Sequence, residues 1–448
     1  MQFITLLDFF LLPFYAVIIY LIAFRIRDRY YPAGHPWRAY FVPGLTVKLV
    51  GGLFIGVIYQ YYYGGGDTSN YFIQAKTINS SFMDSPFKWL QIMLHTADWW
   101  DPDYSEYISQ IFWYRFPANY IVCSATALVG MFCFTTYLPC TLILAALAYT
   151  GIWAMFRTFA KQYPSILRYI AVACLFIPSV FMWGSGIFKD TLCLFGLGWL
   201  THIVFRVFVE RRISLGNLIM LILCFYVLYV TKIYILIAYL PSLMLWVLLN
   251  YSARIPNRAV RALLQFTVIG ICLMGFVVAN QFFAADLGQY SLEKISQTST
   301  VTRDYIAMSS GSEGSSYDLG PIDPSPLGML KKLPQAINVT LFRPYIWEAR
   351  KPIVMLNALE ATIIMLLTLK VLFGVGLGKI YRAIASDANI QFCLIFSLIF
   401  AFAVGISSYN FGTLSRYRIP CLPMYVLALI LIYYKYNSPQ KSIFKLQS

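Results

Sequence analysis

The sequence predicts an all-α, polytopic integral membrane protein with about 11–12 transmembrane helices and two long external loops. Three observations carry this. Of 448 residues, 59% are hydrophobic and 12% charged, with mean hydropathy +0.66, whereas a soluble domain carries about 25% charged residues. Apolar stretches near the ~20 residues of a spanning helix recur along the whole chain. Runs such as 218–230 do not alternate in polarity, which excludes the strands of a membrane barrel.

The first apolar run lacks a basic start and ends at Arg25, Arg27 and Arg29 without a small-residue cleavage site; it reads as a retained helix. Expected helices follow at 4–24, 43–63, 115–134, 137–156, 168–184, 188–207, 214–230, 233–250, 262–282, 353–373, 390–408 and 419–434. No repeat of fixed period relates them.

The net charge of +15 first suggests nucleic acid, but its distribution does not. Basic clusters occupy short loops at 25–38, 157–168, 206–212, 254–261, 379–382 and the tail 435–445, the cytoplasmic side by the positive-inside rule. Fourteen of the nineteen acids lie at 67–106, 190 and 286–348, so those segments are assigned outside. The basic excess therefore sets topology, with at most weak attraction to anionic lipid. The assignment closes from residue 157 onward. Before it, one of 115–134, 137–156 and 168–184 must fail to cross.

The external loops are 64–113 and 283–352. The first mixes acids with Trp89, Trp99 and Trp100, a composition suited to helices lying in the membrane interface. The second contains the turn-rich stretch 309–316 and is expected to be partly mobile. Nine cysteines lie in or beside apolar runs without metal-ligand spacing and read as packing residues. No two histidines, and no His with Cys or acid, show ligand spacing, and no nucleotide-binding, G-x-S-x-G or H-E-x-x-H motif occurs.

Three constellations could carry chemistry. In Gly64-Gly65-Gly66-Asp67-Thr68-Ser69-Asn70-Tyr71, Asp67 stands where a helix leaves the membrane. It is either a general base or cation ligand, or a helix N-cap. In 178–190, Lys189-Asp190 opens a helix after Pro178 and small residues. Asp is favourable at a helix start without any function, but Lys is not. An anion would explain it; the alternative is an ordinary interfacial turn. In Ser415-Arg416-Tyr417-Arg418-Ile419-Pro420, two arginines sit on the acidic side. They either snorkel or hold a phosphate bidentately; in an extended segment both would share a face. A weaker set, Arg343 with Glu348, closes the second loop. Asp8 and Glu360 lie inside apolar runs without an assignable partner.

Taken together, these motifs resemble the GT-C class of membrane glycosyltransferases, nearest the protein O-mannosyltransferase and lipid A aminoarabinose transferase group. Asp67, Tyr71 and Ala75 are similar to that group's first-loop acid with its following Tyr and Ala, although Thr68 stands where a second acid is usual. Pro178, Ser185 and Asp190 resemble its proline, small residue and helix-opening Asp. Arg416-Tyr417-Arg418-Ile419-Pro420-Cys421-Leu422-Pro423 is similar to its Arg-Tyr-x-x-Pro-x-x-Pro stretch.

The resemblance implies sugar transfer from a polyprenyl-phosphate donor to a glycan, lipid or protein acceptor, outside the cytoplasm and by implication at a bacterial inner membrane. In that scheme Asp67 and Asp190 are catalytic, and either could hold a divalent cation. Tyr71, Lys189, Arg343, Glu348, Arg416, Tyr417 and Arg418 bind substrate, and no nucleic acid is involved. The other readings are a lipid-linked polysaccharide polymerase or ligase and, from another class, a transporter or flippase of lipid-linked sugars.

Overall fold

The computed structural model describes residues 2–252, 257, 259–260, 263, 267, 317–320, 323 and 326–437. Their regular secondary structure is helical, with no sheet strand among the described residues. The chain forms a polytopic, multi-pass membrane protein. Seven described helices are long and apolar enough to cross a bilayer, eight if one bent pair counts as a span.

The elements are α1 (Leu6–Tyr30), α2 (Arg38–Tyr61), α3 (Asp67–Ser80), α4 (Pro86–Met93), α5 (Pro102–Ile108), α6 (Pro117–Met131), α7 (Tyr137–Gln162), α8 (Leu167–Leu175), α9 (Pro178–Trp183) and α10 (Lys189–Val204). A π-helical turn, Phe205–Val209, extends α10. Then come α11 (Leu215–Ser252), α12 (Pro326–Phe342), α13 (Pro352–Val375), α14 (Leu377–Ala385), α15 (Ala388–Ser407), α16 (Phe411–Tyr417) and α17 (Leu422–Asn437). They fall into two compact units. One comprises Met1–Met155, Val180–Leu200 and Ile219–Lys232; the other comprises Phe156–Ser179, Thr201–Leu218 and Ile233 onward.

In the first unit, α1 is the helix most open to lipid. Only 11% of its spanning window is buried, and Leu6, Phe10, Phe14 and Leu21 are exposed. The acid in its first turn is nonetheless satisfied. Asp8 accepts from Thr5 N and Oγ1 at 2.8 Å each, and from Leu138 N at 2.8 Å, so a carboxylate in an apolar run caps its own helix and ties it to α7. Helices α7 and α10 cross in backbone contact: a Cβ on Gly198 would lie 2.0 Å from Gly151 O. Without a hydrophobic force between helices in lipid, such close packing is what holds them.

The expected external loop 64–113 is three short helices, α3 to α5. Ser85 and Asp101 accept backbone N–H groups at the starts of α4 and α5, each followed by proline at the first turn. Phe87, Trp100 and Phe112 are exposed, as interfacial aromatic residues should be.

In the second unit, α12 is a 17-residue helix where the sequence suggests loop. Lys331, Lys332 and Pro334 dilute its hydropathy, but its other face packs on α15. Thr340 Oγ1 donates to Ala401 O at 2.7 Å, and a Cβ on Gly405 would meet Ala336 O at 2.3 Å. Helices α16 and α17 form the bent pair, turning 67°.

Several expected spans differ from what forms. The stretch 168–184 divides into α8 and α9, and α6 has 15 residues, short of the ~20 needed to cross. Residues 214–250 run as α11, interrupted at Lys232, whose φ of −152° and ψ of 77° are non-helical. The break falls between the expected helices 214–230 and 233–250. The count of 11–12 spans is thus reduced to eight at most among the described residues. The expected helix 262–282 apart from residues 263 and 267, the loop stretch 283–316 and Cys272 lie outside the described residues. The eight described cysteines are buried free thiols.

Candidate functional site

Each unit gathers part of the expected site. In the first, three-glycine flexibility lets α2 turn into α3. Gly64, Gly65 and Gly66 have φ of 70°, 136° and 142°, values that side-chain-bearing residues rarely adopt. Gly66, rather than Asp67, is the N-cap; Ser69 Oγ accepts from Gly66 N at 2.9 Å and donates to Gly66 O at 2.8 Å. The expected capping role is therefore filled by neighbours. Asp67 occupies the first helical position, half-buried.

Lys189 opens α10 and is half-buried, while Asp190 behind it is 1% exposed. Lys232 reaches Asp190 from the break in α11, Nζ to Oδ1 at 2.5 Å. Lys189 feels the charges of Lys232, Asp190 and Asp67. The four groups thus form one electrostatic cluster.

Within the cluster Asp190 and Lys232 form an ion pair, while Asp67 and Lys189 are the two more exposed members. The ammonium of Lys232 takes the position a cation would occupy at Asp190. Among the described residues, no three His, Cys, Asp or Glu side chains assemble as a metal site. Tyr71 packs beside α6, its hydroxyl donating to Asn119 Oδ1 at 2.9 Å, and Ala75 is fully buried. Both therefore hold α3 in place.

In the second unit, Arg418 is 0% exposed. Its Nη1 donates to Arg343 O at 2.9 Å and Thr340 O at 3.4 Å; its Nη2 donates to Glu360 Oε1 at 3.3 Å and Asn357 O at 3.4 Å. Glu360 also accepts from Ser179 N and Oγ, each at 2.7 Å. The partner missing for Glu360 in the sequence is thus Arg418. Arg343 makes a two-pronged pair with Glu348 and lies 5.2 Å from the centre of the Phe411 ring. Burial raises the Glu348 carboxyl, but Arg343 and the Tyr345 N–H outweigh it and hold the group below its usual range.

One expectation is overturned. Residues 411–417 are helical, not extended, so side chains two apart diverge. Arg416 and Arg418 do not share a face: Arg416 and Tyr417 are half-buried, and Arg418 is wholly enclosed. Arg418 acts as a strut for α12, α13 and α16.

Sequence reasoning missed Lys232 and Lys48 as members of this architecture. Each is a lone charge at or within an apolar run, and intramembrane charges are informative by default. The chain matches no protein-family model, no curated protein and no solved structure.

Proposed function

We propose that this protein is a membrane glycosyltransferase of the GT-C class, moving a sugar from a polyprenyl-phosphate donor to an acceptor hydroxyl on the non-cytoplasmic side of a bacterial inner membrane. The observation that carries the reading is that a half-buried carboxylate, Asp67, and a half-buried ammonium, Lys189, each stand at a helix start beside the buried Asp190–Lys232 ion pair and belong to one set of interacting charges.

In the transfer, the acceptor oxygen bonds to the sugar's anomeric carbon as that carbon's bond to the phosphate oxygen breaks. Asp67 takes the hydroxyl proton. Lys189 meets the phosphate, whose charge grows as the sugar leaves. Asp190 and Lys232 neutralise each other behind them and keep the outer groups in register. Helices α3 to α5 cover the site and limit competing hydrolysis. The donor's lipid tail remains in the bilayer.

The test is transfer by purified protein in nanodiscs from a polyprenyl-phosphate sugar. Asp67→Asn should lower transfer by about 10²–10⁴-fold while leaving donor binding intact. Full activity in that variant would remove the general base from the scheme. A polymerase or ligase would use the same groups and would accept only a lipid-linked oligosaccharide donor. The transporter reading draws on the non-helical Lys232 within a long apolar helix, a feature of transport sites; lipid-linked sugar crossing vesicles without bond breakage would favour it.

A further inference from the structure

Five residues of α2 face a single stretch of chain. Lys48, Gly51, Gly52, Ile55 and Tyr59 follow helical spacing and form one stripe, set against residues 180–188. At the start of that stretch, Lys48 is 2% exposed. Its Nζ donates to Gly184 O at 2.7 Å and Val180 O at 3.2 Å, carbonyls of the kind a helix end leaves unpaired. Further along, a Cβ on Gly51 would lie 2.3 Å from Phe181 O, and one on Gly52 2.8 Å from Ser185 O, so the backbone of α2 rests directly on this segment. A Cβ on Gly186 would lie 3.1 Å from Ile55 Cγ2. At the outer end the Tyr59 ring stands 5.5 Å from that of Phe188 and packs against Gly66. Tyr59 therefore touches the residues immediately before both Lys189 and Asp67.

A lysine is costly inside an apolar helix, and among the described residues no carboxylate pairs with Lys48. Its ammonium, with three N–H donors, instead meets the two carbonyls of Val180 and Gly184.

We propose that Lys48 is a positioning residue. By fastening Val180 and Gly184 to α2, it fixes residues 180–188 on the helix that also delivers Asp67, and so sets how Lys189 stands relative to that acid. The catalytic half of this statement rests on the reading of Asp67 and Lys189 given above; the anchoring half does not.

The experiment uses the full-length protein in nanodiscs, wild type beside Lys48→Met and Lys48→Gln. Hydrogen exchange is followed by mass spectrometry, and transfer from a polyprenyl-phosphate sugar is measured in parallel. Lys48→Met should speed amide exchange about ten-fold or more in 180–188 while 137–155 stays at the wild-type rate. It should lower kcat up to about a hundred-fold with the donor KM nearly unchanged, as expected of misplacement rather than lost binding. Lys48→Gln keeps an N–H donor and should fall between; if the Met variant does not fold, the Gln variant decides. Wild-type exchange in 180–188 in both variants would overturn the proposal, even if transfer fell. Faster local exchange in a protein whose wild type transfers no sugar would keep the anchor and reject the sugar-transfer reading.

Discussion

Lys232 breaks α11 and places its ammonium 2.5 Å from Asp190 Oδ1, with the two side chains 5% and 0% exposed. A buried pair of this kind is a weak source of net stability, because desolvating both charges offsets their attraction, whereas removing one partner strands the other. Asp190→Asn or Lys232→Met alone should each destabilise the protein by about 3–5 kcal/mol. The double variant Asp190→Asn/Lys232→Met should recover much of that loss. Thermal unfolding in detergent, analysed as a double-mutant cycle, measures the coupling; additive losses would show that the pair does not act as a unit.

Arg418 and Arg416 should separate cleanly. Arg418 spans four acceptors from α12, from Arg343 directly after it and from α13. A lysine cannot reproduce that planar fork. Arg418→Lys should therefore lower the unfolding temperature, and Arg418→Met should lower it further, costing about 3–5 kcal/mol by leaving Glu360 uncompensated. Arg416→Lys, at a half-buried position, should leave the unfolding temperature near wild type. A loss in Arg416→Lys as large as that in Arg418→Lys would make Arg416 a second strut.

The Arg343–Glu348 pair predicts an acid-side pH dependence. The folded Glu348 carboxyl is held below its unfolded value, so it binds its proton more weakly when folded. The pairing therefore contributes stability above the unfolded pKa of about 4.3 and loses it as pH falls through the folded value. Unfolding temperature measured from about pH 6 to 3 should fall less steeply in Glu348→Gln than in wild type. Parallel curves would remove the pair from the acid response.

Sidedness is testable against a low thiol background, since the eight described cysteines are buried. Cysteine placed at Met83 or Trp100, 90% and 80% exposed, should react with an impermeant maleimide from outside. Cysteine at Ile213, 81% exposed in a basic loop, should react only after permeabilisation. The reverse pattern would invert the topology.

The fold class was legible because composition alone excludes a soluble domain, and the break at Lys232 coincides with the gap left between two apolar runs. That the segment 64–113 contains short helices is consistent with its local chemistry, since Ser85-Pro86 and Asp101-Pro102 are helix-start signals in the chain itself. Helix α12 was not, because its buried face is defined by α15, which no local window contains. The site was half legible. Asp67, Lys189 and Asp190 could be singled out by their positions at helix starts, but Lys232 joins them across 42 residues. Glu360 finds Arg418 across 58 residues, and only folding reveals such partners. The extended reading of 415–418 failed because Asn410 caps a helical turn there, accepting from Gly412 N and Thr413 N.

The break in α11 also bears on how the chain is made. A lone lysine within an apolar run is costly to insert, at most about 2.5–3.5 kcal/mol where it reaches the bilayer centre. Asp190 precedes Lys232 by 42 residues, so at roughly 5–20 residues per second it leaves the ribosome about two to eight seconds earlier. The carboxylate is synthesised first, and the lysine that follows has its counter-charge already in the membrane.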